Sequence, residues 1–166
     1  MQPHLIGQVQ LSSTAQSQAL AAAMAPLLRA GDTLLLEGDI GAGKSLICRA
    51  LIQNRLAAEN RMEDVPSPTF TLVQVYALTD LEIWHCDLYR LTTPDEVFEL
   101  GLDDAFDHAI CLIEWPDRLG STAPPRALTL SLSMVEGQDD ARNLVLTSAD
   151  PSWKDRLAPL LEDILT

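Results

Sequence analysis

Two hydrophobic periods alternate along this chain, and their order predicts a sheet interleaved with helices. Ser13-Thr14-Ala15-Gln16 is a capping box opening an Ala/Leu-rich helix that runs toward Arg29, with Pro26 kinking it or ending it early and Gly31 closing the segment. Thr33–Glu37 is a short apolar run of the kind a buried strand makes. Residues 44–57 (KSLICRALIQNRLA) place Leu46, Ile47, Ala50, Leu51 and Ile52 at helical spacing. Residues 60–68 are polar with two prolines and read as a loop. Residues 71–78 and 81–88 are β-branched and aromatic runs split by Thr79-Asp80, which predicts an antiparallel hairpin. Thr93-Pro94-Asp95-Glu96 opens a helix to about Leu100, with Pro at the first helical position, and a second short helix spans 103–107. Residues 109–113 are continuously apolar and end at Glu114, as a central strand does. Residues 127–135 alternate, with Leu128, Leu130, Leu132 and Met134 on one face. A turn at 136–140, a return strand at 142–148 and a helix from about Ser152 complete the pattern.

The junction between the first strand and the second helix carries the chemistry. Gly38-Asp39-Ile40-Gly41-Ala42-Gly43-Lys44-Ser45 fits G-x-x-x-x-G-K-[ST], the phosphate-binding loop. Glycines let the backbone take positive φ, so successive N–H groups can converge on phosphate oxygens. The helix starting near Lys44 adds its N-terminal partial charge. Lys44 then reaches the β- and γ-phosphates, and the Ser45 hydroxyl is placed to ligate Mg²⁺.

Such a loop needs an acid on a neighbouring strand, to hold Mg²⁺ or orient the attacking water. Asp87 and Glu114 each end an apolar strand, where a carboxylate can face the loop or face solvent. Asp95, Glu96, Asp103 and Asp104 lie near helix starts and serve as capping or dipole charges.

Composition narrows the partners. With 166 residues the chain is read as one domain, 1–166, long enough for a sizeable core. No segment reads as a membrane span or a basic leader, so a cytoplasmic setting is expected. Cys48, Cys86 and Cys111 are odd in number, distant and set in apolar sequence, which suits reduced core thiols better than a disulfide framework or a zinc site. His4, His85 and His108 have no metal-ligand spacing and read as surface or ordinary core histidines, with only His85 near the candidate acids. A net charge of −13 repels a phosphate backbone, so tight direct binding to nucleic acid is not expected, whereas a basic protein partner is easily accommodated.

Four segments in one order carry a family resemblance: the glycine loop, Ser67-Pro68-Thr69-Phe70-Thr71-Leu72-Val73, His85-Cys86-Asp87-Leu88-Tyr89-Arg90-Leu91 and Ile113-Glu114-Trp115-Pro116. Together they resemble the TsaE family, the bacterial ATPase component of the tRNA threonylcarbamoyladenosine modification machinery, over roughly residues 10–148. The loop is shared by many NTPases, and the other three segments are the specific part. The resemblance implies nucleotide contacts from Gly38, Gly41, Ala42, Gly43, Lys44, Ser45 and Leu46. It implies Mg²⁺ on Ser45 and Glu114, and a requirement for Asp87 in hydrolysis through water or the metal shell. Thr69 would sense the γ-phosphate. Trp115 would sit close to the nucleotide, with a core position as its alternative. Where the family has Thr-Thr after the lysine, this chain has Ser45-Leu46, which keeps the metal-binding hydroxyl and lacks the second one.

The expected fold is a three-layer α/β, P-loop NTPase-like domain. Its mixed sheet has a parallel core near residues 33–37 and 109–114, plus antiparallel hairpins. The resemblance implies ATP binding and slow hydrolysis in support of tRNA modification, through the TsaD and TsaB proteins, with tRNA engaged only indirectly. Adenine selectivity rests on the resemblance; no Asn-Lys-x-Asp guanine-reading tetrad occurs. Two other readings share the loop. One is a small-molecule kinase, for which Arg90, Arg118, Arg126 and Arg142 are too scattered to form a lid. The other is a nucleotide-dependent switch without useful turnover.

Overall fold

In the computed structural model, which describes residues 2–164, seven strands form one sheet in the order β1-β7-β6-β2-β5-β4-β3. The strands are β1 (His4–Leu11), β2 (Thr33–Glu37), β3 (Val73–Ala77), β4 (Glu82–Asp87), β5 (Ile110–Glu114), β6 (Leu128–Val135) and β7 (Gln138–Ser148). The helices are α1 (Thr14–Met24), α2 (Lys44–Ala57), α3 (Asp95–Glu99), α4 (Leu102–His108), α5 (Ser152–Arg156) and α6 (Ala158–Ile164). β2 pairs in parallel with β5 and β6, and β5 in parallel with β4. The β3–β4, β6–β7 and β1–β7 pairs are antiparallel. The parallel core and both hairpins therefore lie where the sequence pattern puts them.

Side-chain alternation explains the layers, because successive residues of a strand face opposite sides. Leu34, Leu36, Ile110, Leu112, Leu128 and Leu130 pack with α1 and α2 in one buried cluster. Cys86, Cys111 and Ile113 face the other way, with Val97 of α3 and Leu102 and Ala105 of α4. β2 and β5 are buried on both faces, which is why they read as unbroken apolar runs.

Helix ends follow local chemistry. Gln16 N–H donates to Ser13 Oγ at 3.2 Å, the N-cap half of the first box, while Gln16 Oε1 accepts from the N–H of Ser12, one residue before the cap, at 2.8 Å. Pro26 ends α1 rather than kinking it, and the chain leaves through a 3₁₀ turn, Ala25–Leu27. The second box is half-formed. Glu96 Oε1 accepts from the Thr92 and Thr93 amides, but α3 begins only at Asp95, with Pro94 as its N-cap.

Three features differ from expectation. Residues 4–11 form β1, which the sequence pattern does not announce: its burial alternates only in part, and Gly7 interrupts it at a register shift. The 136–140 turn is tighter than expected, because β7 begins at Gln138 and Gly137 takes φ 79°. The C-terminal helix is two short helices, α5 and α6. Among the described residues, no helix is long and apolar enough to cross a membrane.

Candidate functional site

The parallel strands β2, β5 and β4 end on one edge of the sheet, and that edge holds the candidate site. Crevices outside the carboxyl ends of parallel strands are where α/β folds bind ligands. β2 ends at Glu37, and the chain turns through the glycine loop into α2. Gly38, Gly41 and Gly43 take φ of 148°, 85° and 107°. At Gly38 the need for glycine is steric as well: a Cβ there would stand 2.7 Å from the Leu132 carbonyl oxygen. At Gly43, the N-cap of α2, it is conformational, since nothing crowds the position.

The two acids reach the loop by strand alternation. On β4, residues 83, 85 and 87 face α2; on β5, residues 110, 112 and 114 do so. Parallel register sets Asp87 directly beside Glu114. Ser45 Oγ donates to the Glu114 carboxylate, 2.8 Å from Oε1 and 3.0 Å from Oε2. Asp87 Oδ1 accepts from the Tyr89 amide at 3.0 Å, and Thr69 Oγ1 donates to Oδ2 at 3.4 Å. The Ser67 and Thr69 hydroxyls are paired at 2.9 Å. Both acids are buried, at 6% exposure for Asp87 and 2% for Glu114. Buried carboxylates held by hydroxyl and amide donors suit a site for a hard cation or a polarised water.

Lys44 is turned back on its own loop. Its Nζ donates to the carbonyls of Gly38 and Asp39 and lies 4.2 Å from the centre of the Trp115 ring. Burial pushes its pKa down, while Glu114, Asp87 and Asp39 push it up. Trp115 adopts a left-handed backbone, φ 58° and ψ 55°, which strains a non-glycine residue by about 1–3 kcal/mol. That conformation turns the chain straight after Glu114 and stands the indole over Lys44, 4.8 Å from the Tyr89 ring.

These groups enclose a cleft of about 430 Å³. Gly41, Gly43, Lys44, Ser45, Leu46, Thr69, Asp87, Glu114 and Trp115 all line it. Trp115 therefore stands at the cleft rather than in the core. Gly38 and Ala42 do not line it: Gly38 presents its carbonyl to Lys44, and the Ala42 side chain is in the apolar core. Ile40 and Tyr89 line the cleft but are not singled out by sequence reasoning. Tyr89 could have been found from its place in the Asp-Leu-Tyr-Arg segment; Ile40 carries no comparable signal.

Sequence reasoning also misses Arg142, on β7. Its guanidinium donates from Nε to the Ala42 carbonyl at 2.9 Å and from Nη2 to the Gly41 carbonyl at 3.2 Å. Nothing local announces an arginine that reaches a loop a hundred residues upstream. Arg90 is exposed and stays outside the cleft, so Lys44 is the one cation lining it among the described residues.

The model of a family described as "Threonylcarbamoyl adenosine biosynthesis protein TsaE" matches residues 11–144. The chain belongs to the TsaE family. Among its relatives, the tRNA threonylcarbamoyladenosine biosynthesis protein TsaE of Rickettsia bellii is 36% identical over 144 residues, covering 87% of this chain and 96% of that protein. The protein of the same name from Rickettsia conorii is 33% identical over 153 residues, covering 92% and 86%. The crystal structure of YdiB from Bacillus subtilis superposes with a TM-score of 0.76, covering 98% of this chain and 96% of that one at 23% identity. This likeness shows a shared P-loop NTPase-like fold. TsaE proteins belong to the system that makes threonylcarbamoyladenosine in tRNA, and the family places this chain in it.

Proposed function

We propose that this chain is an ATP-binding protein that hydrolyses ATP slowly with Mg²⁺, as a single cytoplasmic domain supporting threonylcarbamoyladenosine formation through the proteins TsaD and TsaB. The observation that carries the reading is the Ser45–Glu114 pair, a hydroxyl and a carboxylate joined directly at the start of α2. Two oxygen donors at the end of a phosphate loop are what Mg²⁺ takes when the phosphates of a nucleotide complete its shell. Bound there, Mg²⁺ would neutralise charge on the phosphate oxygens. The loop amides and Lys44 would hold the phosphates, and Lys44 would exchange its carbonyl partners for phosphate oxygens.

Asp87 is the group left to act on water. Its Oδ1 is held by the Tyr89 amide and its Oδ2 by Thr69, which fixes the carboxylate facing the cleft. Thr69 lies on the segment that follows two prolines, so its bond to Asp87 can respond to the γ-phosphate. Trp115 and Tyr89 offer aromatic surface beside the loop.

An NTPase without an inserted arginine turns over slowly, and a supplied arginine adds about 10³–10⁵ in rate. With Lys44 as the cleft's cation, slow turnover alone is expected. A charge of −13 disfavours a free-standing role on RNA, so tRNA is engaged only indirectly. The test is steady-state phosphate release by the purified protein, then with TsaD and TsaB added, beside a tRNA titration at physiological salt. Slow release that rises with the pair, and weak salt-sensitive tRNA binding, are expected. Fast release indifferent to the pair, or submicromolar tRNA binding, would overturn the reading. Phosphate appearing on a small-molecule acceptor rather than in water would mean a kinase.

A further inference from the structure

Three buried donors of mixed chemistry meet beneath the cleft, and the nucleotide reading uses only one of them. Cys48 on α2, His85 on β4 and Glu114 on β5 present a thiol, an imidazole nitrogen and a carboxylate oxygen within 4.8 Å of one another. Cys48 follows Ser45 by about one helical turn, so both face the sheet. His85 and Glu114 share the sheet face that packs on α2. Exposure is 0% for Cys48, 1% for His85 and 2% for Glu114.

Two observations distinguish this cluster from a chance meeting of core groups. His85 Nε2 is bonded to Glu114 Oε2 at 2.7 Å, but its buried Nδ1 has no hydrogen-bond partner. The ring nitrogens diverge, so Nε2, which already stands beside the carboxylate, is the one that would ligate together with Glu114, its proton moving to Nδ1. Charge balance is the second. A thiolate, a neutral imidazole and a carboxylate around a divalent ion sum to zero, the balance that burial favours. Sulfur and nitrogen donors suit a borderline-soft ion and do not suit Mg²⁺, which prefers oxygen alone.

We propose that Cys48, His85 and Glu114 form a site for a thiophilic divalent cation of the Zn²⁺ class, with its fourth position open to the cleft. The donors of a tetrahedral Zn²⁺ site stand about 3.3–3.8 Å apart, so the longest separation in the cluster has to close by about 1 Å. Glu114 and Ser45 line the cleft, which gives the ion its way in. Burial pushes the Cys48 thiol well up, so the ion must displace that proton, which leaves to solvent. Resting on the nucleotide reading, one consequence follows: zinc takes the carboxylate that Mg²⁺ would use, so the two ions exclude each other and zinc stops turnover.

The test begins without nucleotide. Metal-free protein is titrated with Co²⁺, read by its thiolate charge-transfer absorption, and then with Zn²⁺. One equivalent of Co²⁺ is expected to raise the band and Zn²⁺ to displace it. Cys48→Ser and Cys48→Ala abolish it, whereas Cys86→Ser and Cys111→Ser keep it. His85→Gln weakens the ion by at least about 10–100-fold, the range that even outer-shell changes produce. X-ray absorption at the zinc edge of the wild-type protein shows one sulfur ligand, whatever the folding of the variants. No band, a band surviving both Cys48 variants, or an all-oxygen shell overturns the proposal. Phosphate release is then measured with zinc: inhibition of wild type that Cys48→Ser escapes is expected. Because the cobalt band needs no nucleotide, failure of the ATPase reading would leave the binding result standing, and the two failures are distinguishable.

Discussion

Replacing Arg142 by alanine tests whether β7 holds the glycine loop in its binding shape. The guanidinium spans four backbone carbonyls: Ala42 at 2.9 Å, Gly41 at 3.2 Å, Asp139 at 2.7 Å and Ala141 at 2.8 Å. The first two belong to the loop, and the other two fix the side chain so that it can serve them. Hydrogen bonds to a charged group contribute about 1.5–3 kcal/mol each when shielded. The Ala42 bond is partly buried and keeps that worth; the Gly41 bond is exposed and is discounted for solvent screening. The loop thus loses about 2 kcal/mol of anchoring, roughly thirtyfold in its order–disorder equilibrium constant, and apparent affinity falls with the competent fraction by up to that factor. Arg142→Ala is expected to weaken ATP about 5–30-fold by calorimetric titration, with circular dichroism unchanged. Arg142→Lys should fall between, since an ammonium cannot bridge four carbonyls from one plane. ATP affinity within about twofold of wild type, in a folded Arg142→Ala protein, would refute the clamp.

Lys44→Ala should lower ATP affinity roughly tenfold to a hundredfold, from loss of a charge-assisted contact of about 1.5–3 kcal/mol, and unchanged binding in the same titration would sink the phosphate-loop reading. Glu114→Ala should lose Mg²⁺-dependent binding together with turnover, while Asp87→Ala should lose turnover and keep binding. Equal binding losses in the two variants would overturn those assignments. Ser152 and then Arg126 hold Asp150 down to about 2, from an ordinary value of 3.8. Its folded value is depressed, so its stabilisation is complete above 3.8 and is lost as pH falls toward 2. Asp150→Asn should flatten that part of the acid limb in thermal melts across pH, and a limb of unchanged slope would contradict the pairing.

Much of this site is legible in the sequence because its chemistry is local or periodic. The loop spells out its own backbone demand, and Asp87 and Glu114 are marked by position, each ending an apolar run. Strand alternation then carries both to one face, with no further information needed. What stays hidden depends on distant contacts. Arg142 looks like any arginine in a return strand until β6 and β7 bring it to the loop. β1 is concealed because an edge strand with one exposed face and a central glycine has a weak period. Cys48 and His85 read as ordinary core residues, since only the packing of α2 on the sheet brings thiol, imidazole and carboxylate together.

The sheet joins the first strand of the chain to the last. β1 pairs with β7 from His4 opposite Ser148 to Leu11 opposite Arg142. β2, which launches the loop, lies between β5 and β6, both made later. During synthesis at roughly 5–20 residues per second, β1 and β2 therefore wait several seconds on the ribosome for their neighbours. Arg142 emerges among the last of the residues that touch the loop. A nascent chain carries the complete glycine motif early, with Lys44 already able to bond its Gly38 and Asp39 carbonyls, yet lacks the Arg142 bonds to Gly41 and Ala42 until β7 is made. A product cut short before β7 would lack the guanidinium that bonds the Gly41 and Ala42 carbonyls.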